Sequence, residues 1–451
     1  MSAAGKLQLP DGDLALHERL ATALAGAIDG GTFRPGERLP THRRLAERFG
    51  VSIGTVTRAV DALSDRGLVR GEIGRGTFVL ERGAPVANAS DIIDLTINAP
   101  PPLLGYEALA EAAEMATRRA LQLPHGGYVD HSGTEFQRGV VAGWLTATRQ
   151  SAAADEIILT NGAQQGIHLA FAALKDRSTT VATEGATFPG AIAAATNLGL
   201  ATLPVAHDGE GMLPEALDAV LATSTCKIIY TTPVCQNPLG FETGPERRRA
   251  ISAVALKHGA FIVEDDIYGL YGTKGSLTYK DLAPESTLFL TSLSKSLTPL
   301  VRLGVLVPPR SMRAGIVKRM RAESWGLPPF VAELSVALIE TGAATTVAQL
   351  LREEALVRQQ LAQQIFNLAD LPMPKGAPHI WLPMSPIAAE QLARRASEAG
   401  VRITPPGATQ VGNSGVGGVR LCIMSPPTRS ELERGLHILA GILSSDEDVI
   451  V

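Results

Sequence analysis

At 451 residues the chain is too long for one ordinary domain and long enough to bury at least one large core. A hydrophobic fraction of 45% and a charged fraction of 19% fit a globular protein, and no uninterrupted apolar stretch approaches the roughly 18 residues a membrane span needs. The net charge of −4 argues against an evenly spread nucleic-acid surface, yet residues 34–75 hold nine arginines against five acids, a local basic excess compatible with phosphate.

Residues 1–20 carry Asp11, Asp13 and Glu18 and lack a basic segment followed by an apolar one, so no signal peptide is readable. Cys226, Cys235 and Cys422 show no metal-ligand spacing and read as small core residues of a reducing compartment. Both features set a cytoplasmic location as the expectation. The first predicted element is a helix over 14–28, with apolar residues at helical spacing and a stop at Gly30-Gly31. After a turn at Arg34-Pro35-Gly36, Leu39-Pro40 leads into a short helix, Thr41 to Phe49, closed by Gly50. Ser52 caps a second helix reaching Ser64. On that helix Val56, Ala59, Val60 and Leu63 share one face, while Gly54, Thr57, Arg58 and Asp61 point the other way. The short connection Gly50-Val51 makes the pair a helix-turn-helix arrangement, in which the second helix enters the major groove. Gly67–Arg70 and Thr77–Leu80 flank a glycine-bearing turn over 71–76 and read as a hairpin.

Residues 81–91 are small, polar and Pro-containing, the composition of a linker. The expected division is therefore a DNA-binding unit over 12–80, a linker over 81–91 and a second domain over 92–450. In that domain apolar strand-like runs alternate with helical segments, at Glu156–Leu159, Thr180–Ala182, Lys227–Tyr230, Phe261–Glu264, Thr287–Leu290 and Gly304–Val307. Such alternation predicts the α/β class with a mostly parallel sheet.

Four spaced pieces of the second domain carry chemistry. The strand Phe261–Glu264 delivers Asp265 to its C-terminal end with Tyr268 three residues on, where open α/β sheets place ligands. A carboxylate there can hold a pyridine nitrogen protonated, and a tyrosine hydroxyl can bond the phenolic oxygen of the same ring. Ser292-Leu293-Ser294-Lys295 follows another strand, and its lysine can form an imine with an aldehyde. Arg302, seven residues later, is placed to neutralise a phosphate. Asn161-Gly162-Ala163-Gln164-Gln165 lies between a strand and an apolar helix, so backbone N–H groups at the helix start can cradle that phosphate. His125 and His131 lack an organised acidic or cysteine partner and mark no metal site, and Gly412–Gly418 reads as a mobile loop.

Any one of these pieces is weak alone, and a lone arginine on a helix is usually just solvated. As linked sets they are specific. Leu39-Pro40-Thr41-His42-Arg43-Arg44-Leu45-Ala46, Val51-Ser52-x-x-Thr55-Val56, Gly67-Leu68-Val69 and Gly74-x-Gly76-Thr77-Phe78 resemble the GntR family of winged helix-turn-helix repressors. That resemblance implies DNA contacts from Arg43, Ser52, Thr55, Thr57, Arg58 and the wing residue Arg75, mainly to phosphates, with Thr57 and Arg58 nearest base edges. The sequence departs from the family at Ile53-Gly54, where many relatives carry an arginine. The second domain resembles fold type I aminotransferases, which use pyridoxal 5′-phosphate (PLP) and have a smaller C-terminal α+β subdomain.

By that likeness Lys295 forms the internal aldimine and Asp265 pairs with the ring nitrogen, while Tyr268 and Asn237 bond the phenolic oxygen. Gly162, Ala163, Gln164, Ser292, Ser294 and Arg302 belong to the phosphate site, and Phe188 stacks on the ring where a tyrosine is more usual. Tyr128 resembles the tyrosine that reaches into the other subunit's site, and Arg420 the arginine that clamps a substrate carboxylate. Leu239, in Asn237-Pro238-Leu239-Gly240, replaces a usual hydroxyl residue. The combination resembles the MocR-type subfamily of GntR regulators. It implies a head-to-tail homodimer on a double-stranded DNA operator, away from membranes, sensing a small amine or amino acid through external aldimine formation at Lys295. The alternative is a working aminotransferase carrying a DNA-binding domain.

Overall fold

The computed structural model describes residues 15–29, 32–33, 36–65, 68–72, 76–79, 92–368 and 376–447. The chain divides into two compact units, residues 1–90 and residues 91–451. Arg75 and the linker over 81–91 lie outside the described residues.

The first unit packs α1 (Leu16–Asp29), α2 (His42–Phe49) and α3 (Ile53–Asp65) beside the antiparallel pair β1 (Val69–Glu72) and β2 (Gly76–Val79). Thr41 caps α2 by accepting the Arg44 N–H at 3.4 Å, and Gly50 ends it at φ +63°, a left-handed turn that a Cβ would disfavour. Ser52 Oγ accepts the Thr55 N–H at 3.0 Å and starts α3 one residue later. The apolar face of α3 is core as its spacing predicts: Val56, Ala59 and Leu63 are fully buried against Leu20, Leu24 and Leu45. Gly71 and Glu72, expected in the hairpin turn, are instead paired with Thr77 and Gly76, so the ladder runs further than the glycine spacing suggests.

In the second unit β3 (Ile93–Asp94) precedes α4 (Tyr106–Ala120) and α5 (Glu135–Thr148). Then follow β4 (Ile158–Asn161), α6 (Gly162–Leu174), β5 (Thr180–Glu184), α7 (Pro189–Asn197) and β6 (Ala201–Val205). A short pair, β7 (His207–Asp208) and β8 (Gly211–Met212), leads to β9 (Ile228–Thr231), β10 (Phe261–Asp265), β11 (Thr287–Ser292) and β12 (Leu303–Val307). The central sheet has the order β4-β12-β11-β10-β9-β5-β6, with only β12 antiparallel to its neighbours. Alternate residues of β12 enter different cores, Val305 and Val307 on one face and Leu306 on the other, so the sheet is covered on both sides. The edge strand β6, which no predicted run covers, contains Pro204, a residue tolerated at an edge where no ladder N–H is needed.

A smaller subdomain has its own core around Leu392, Ile403, Leu421 and Leu436. It contains β13 (Ile380–Pro383), β14 (Val401–Arg402) and β15 (Gly418–Leu421), β13 pairing antiparallel with β15 and β14 parallel with β3. The helix Ala343–Phe366 joins the two parts, giving Val347 and Leu351 to the larger core and Ala362 to the smaller. The segment over 412–418, expected to be a mobile loop, is tied down. Ser414 Oγ donates to the Gly185 carbonyl at 2.6 Å, Val411 N–H bonds the same oxygen at 3.0 Å, and the chain runs directly into β15.

Among the described residues no single helix is long and apolar enough to cross a membrane.

Candidate functional site

Loops from the C-terminal ends of β4, β5, β9, β10 and β11 converge at one edge of the sheet. Because β12 runs the opposite way, its first residues reach that same edge: Leu303 pairs with Asn161 and Gly304 with Ser292. Arg302 is therefore delivered beside the start of α6, in a left-handed conformation (φ +45°) that a non-glycine residue adopts only when its surroundings hold it there. Gly162, at φ +69°, lies so close that a Cβ on it would stand 3.0 Å from the Arg302 guanidinium.

A cavity of about 380 Å³ opens at this edge. Of the residues expected at a cofactor or effector, Ala163, Gln164, Phe188, Asn237, Asp265, Tyr268, Ser292, Ser294, Lys295, Arg302 and Arg420 all line it. Gly162 adjoins it through Arg302. Tyr128 does not reach it within one chain: it is 75% exposed and sits edge-on to Trp325, 5.9 Å between ring centres.

Three consecutive acids, Glu264 and Asp265 at the end of β10 and Asp266 just after it, point alternately to opposite sides. Glu264 is paired with Arg248 at 3.5 Å, both fully buried, and Asp266 with Arg149 at 3.1 Å. Asp265 alone lines the cavity, with Oδ2 accepting the Tyr230 hydroxyl at 2.7 Å and Oδ1 the Ile267 N–H at 3.3 Å. Burial raises its carboxyl to about 6, against those hydrogen bonds. Lys295 Nζ donates to the Asn98 carbonyl. Burial, with Arg420 and Arg302 adding positive potential, brings its ammonium down to about 8, so a usable fraction is neutral near neutral pH. Ser292 Oγ donates to the Leu303 carbonyl at 2.7 Å, accepts the Ser294 N–H and lies 3.0 Å from Ser294 Oγ. Gln164 Nε2 donates to the Gly190 carbonyl at 2.7 Å, which anchors the side chain over the start of α7 while its backbone N–H stands at the start of α6.

Arg420, on β15, is 6% exposed. Its Nη1 donates to Asn237 Oδ1 at 2.5 Å and its Nη2 to the Thr96 carbonyl at 2.5 Å and Thr404 Oγ1 at 2.9 Å, all uncharged acceptors. Its Nε is buried without a partner, as is Thr232 Oγ1 in the same wall. Sequence reasoning missed Thr96, Ile97, Asn98, Thr232 and Ile267 in the lining, and Tyr230 and His379 behind it. Tyr230 is readable only as a strand residue, and nothing local marks Asn98 or His379, whose partners lie far away along the chain.

In the first unit Arg43 and Arg58 are exposed on α2 and α3, Arg43 only loosely paired with Glu47 at 3.9 Å. Ser52 and Thr55 share a hydrogen bond at 2.8 Å at the start of α3. Thr57 is half-buried, its hydroxyl 3.2 Å from His42 Nδ1 on α2 and 3.1 Å from the Ile53 carbonyl, so it joins the two helices.

Residues 90–439 match the family aminotransferase class I and II, and residues 16–79 match bacterial regulatory proteins, gntR family. The uncharacterized HTH-type transcriptional regulator YdeF of Bacillus subtilis is 25% identical over 95% of this chain and 94% of its own. The "Probable rhizopine catabolism regulatory protein MocR" of Rhizobium meliloti is 25% identical over 72% of each chain. Among solved structures, LysN, the α-aminoadipate aminotransferase of Thermus thermophilus in complex with N-(5′-phosphopyridoxyl)-L-leucine, superposes with a TM-score of 0.70 at 25% identity, covering 80% of this chain and 94% of its own.

PLP is the cofactor of such a domain, and the residues here fit it. A cation beside a glycine-opened helix start suits its phosphate, and a buried carboxyl facing the cavity suits its ring nitrogen. When bound, PLP supplies an aldehyde that condenses with primary amines and a ring that withdraws electrons. The chain belongs to the MocR-type GntR transcriptional regulators, a GntR helix-turn-helix joined to a class I and II aminotransferase domain.

Proposed function

We propose that this chain is a cytoplasmic regulator whose cavity senses a small amine bearing an acid group and passes the outcome to the DNA-binding unit. The observation that carries the reading is Arg420, a buried cation whose acceptors are all neutral, in the same cavity as a lysine with a lowered ammonium. An anion entering the cavity finds a charge not already spent on an internal carboxylate.

In this account Lys295 would hold the cofactor covalently, and the bound aldehyde carbon would be open to exchange with an effector's primary amine. Asp265 keeps the ring nitrogen protonated, Tyr268 and Asn237 bond the ring oxygen, and Phe188 stacks on the ring. The N–H groups of Ala163 and Gln164, the hydroxyls of Ser292 and Ser294, and Arg302 hold the phosphate beside Gly162. Arg420 takes the effector's acid group. Coupling would have a covalent route: Thr96 and Asn98, whose carbonyls Arg420 and Lys295 bond, stand five and seven residues after the segment 81–91. A ligand moves operator affinity only through differential affinity for two states, and displacing Lys295 while engaging Arg420 supplies such a difference.

Arg43, Ser52, Thr55, Arg58 and Arg75 face the operator in this reading, with Thr57 contributing chiefly to the helix pair. A head-to-tail homodimer would give a partner to Tyr128 and Trp325, two exposed aromatic rings that pack edge to face 5.9 Å apart.

The test is spectroscopic. Purified PLP-loaded protein is titrated with a panel of primary amines with and without an acid group. Acid-bearing amines are expected to change the visible absorption band, and Lys295→Ala is expected to lack the band's characteristic position altogether. A band that forms normally in Lys295→Ala, or that no amine perturbs, overturns the proposal.

A further inference from the structure

Behind the cavity a chain of hydrogen bonds has a polarity that can be worked out atom by atom. His379 Nε2 lies 3.0 Å from the Gln236 carbonyl, which can only accept, so Nε2 carries the hydrogen. The ring is fully buried near Arg420 and Lys295, and burial followed by those charges lowers its pKa to about 3; it is neutral, and Nδ1 is therefore a lone pair. Asn98 Nδ2 stands 2.9 Å from that nitrogen, which fixes the orientation of the amide: its N–H₂ group, not its oxygen, faces His379. The second hydrogen of the same group goes to the Tyr268 hydroxyl oxygen at 2.8 Å. Tyr268 is thereby an acceptor toward Asn98, and its own hydrogen is left for the cavity it lines.

We propose that Asn98 is a positioning residue: by donating to both His379 and Tyr268 it aims the Tyr268 hydroxyl hydrogen at the phenolic oxygen of the bound cofactor. The inference rests on the reading that Tyr268 bonds that oxygen, and goes beyond it by naming what sets the direction of the bond. Asn98 also bears the backbone carbonyl that accepts from Lys295, so one residue contacts both the lysine amine and the Tyr268 hydroxyl. Without the Asn98 amide, His379 Nδ1 is an acceptor with no donor, and the Tyr268 hydrogen has somewhere else to turn. The charged and titratable groups around Tyr268 are His379, Tyr271, Arg420, Asp265 and Cys422, and around Lys295 they are Cys422, Arg420, Arg302, Asp265 and His379; the substitutions leave all of these side chains in place.

The experiment is a pH titration of the visible band of the PLP-loaded full-length protein, with four chains compared: wild type, Tyr268→Phe, Asn98→Ala and the double variant. A donor to the phenolic oxygen stabilises its anionic form and so lowers the midpoint of the band. Tyr268→Phe is expected to raise the midpoint by about one to two pH units, the worth of one hydrogen bond to a charged group. Asn98→Ala is expected to raise it in the same direction, and Asn98→Ala on the Tyr268→Phe background to add nothing. Nitrogen-15 spectra of the cofactor-free protein supply a second readout that does not depend on loading: His379 is expected as the neutral Nε2–H tautomer at about pH 6, well above its lowered pKa.

If Tyr268→Phe moves the midpoint and Asn98→Ala does not, or if the two shifts add, the positioning role is overturned while the cofactor reading stands. If Tyr268→Phe itself leaves the midpoint in place, the cofactor reading of Tyr268 fails and the proposal with it. An Nδ1–H tautomer at His379 overturns the polarity whatever the band does.

Discussion

The helix pair of the first unit and the cavity at the sheet edge both present arginines, and they present them in opposite ways. Arg43 and Arg58 stand in solvent, Arg43 within 3.9 Å of a single exposed acid, so their charge is free to meet phosphates and is also cheaply satisfied by water. Arg420 is buried among an amide oxygen, a carbonyl and a hydroxyl, whereas Arg248 and Arg149 are matched to Glu264 and Asp266, the acids on either side of Asp265. The contrast teaches where geometry speaks about function. An exposed cation is uninformative without its sequence motif, whereas a buried cation that lines a cavity and has only neutral acceptors offers an unspent charge to an anion entering there.

The contrast breaks most visibly at the buried pair. Arg248→Ala leaves Glu264 as an uncompensated buried carboxylate and is expected to cost about 3–5 kcal/mol in denaturant unfolding of the second unit. A loss near zero would mean that burial of charge here is not matched as described. Next comes the cavity's own cation. Arg420→Gln is expected to weaken acid-bearing amines by about 10- to 100-fold, and amines without an acid group little, when binding is followed by the visible band.

Lys295 sharpens the comparison through pH. Only its neutral amine attacks an aldehyde, and burial brings its ammonium to about 8, so the rate at which cofactor-free protein takes up PLP is expected to rise with pH and level off above that value. A midpoint near the ordinary lysine value of about 10 would mean that the amine is as well hydrated as the arginines of the first unit. On that unit, Arg58→Ala is expected to weaken operator binding across sequences and reduce the salt slope by about one. The smallest effect expected is from Thr41→Ala, about 1 kcal/mol from the lost cap of α2, read by thermal unfolding of the DNA-binding unit.

Much of this is legible in the sequence. Asp265, Lys295 and Arg302 are readable because strand ends in an open α/β sheet are ligand positions, and period-two alternation separates Asp265 from its acidic neighbours. Thr41, Gly50 and Ser52 are readable because caps are local chemistry. What escapes is long-range. Asn98 bonds partners 170 and 281 residues away, and no periodicity brings residues so distant together. The edge strand β6 escapes because Pro204 disguises it, and the predicted hairpin turn starts too early because glycines at 71 and 76 mimic a longer loop than the ladder leaves. Thr57 counts as a free-face residue by helical phase, yet its small side chain is close enough to α2 to bond His42.

The most direct measurement of the sensor account is operator binding, followed by fluorescence anisotropy, with wild type and Lys295→Ala titrated in parallel with whichever acid-bearing amine shifts the visible band of the loaded protein. The account predicts that this amine changes operator affinity in the wild type and leaves Lys295→Ala unmoved. An equal response in both chains would contradict it.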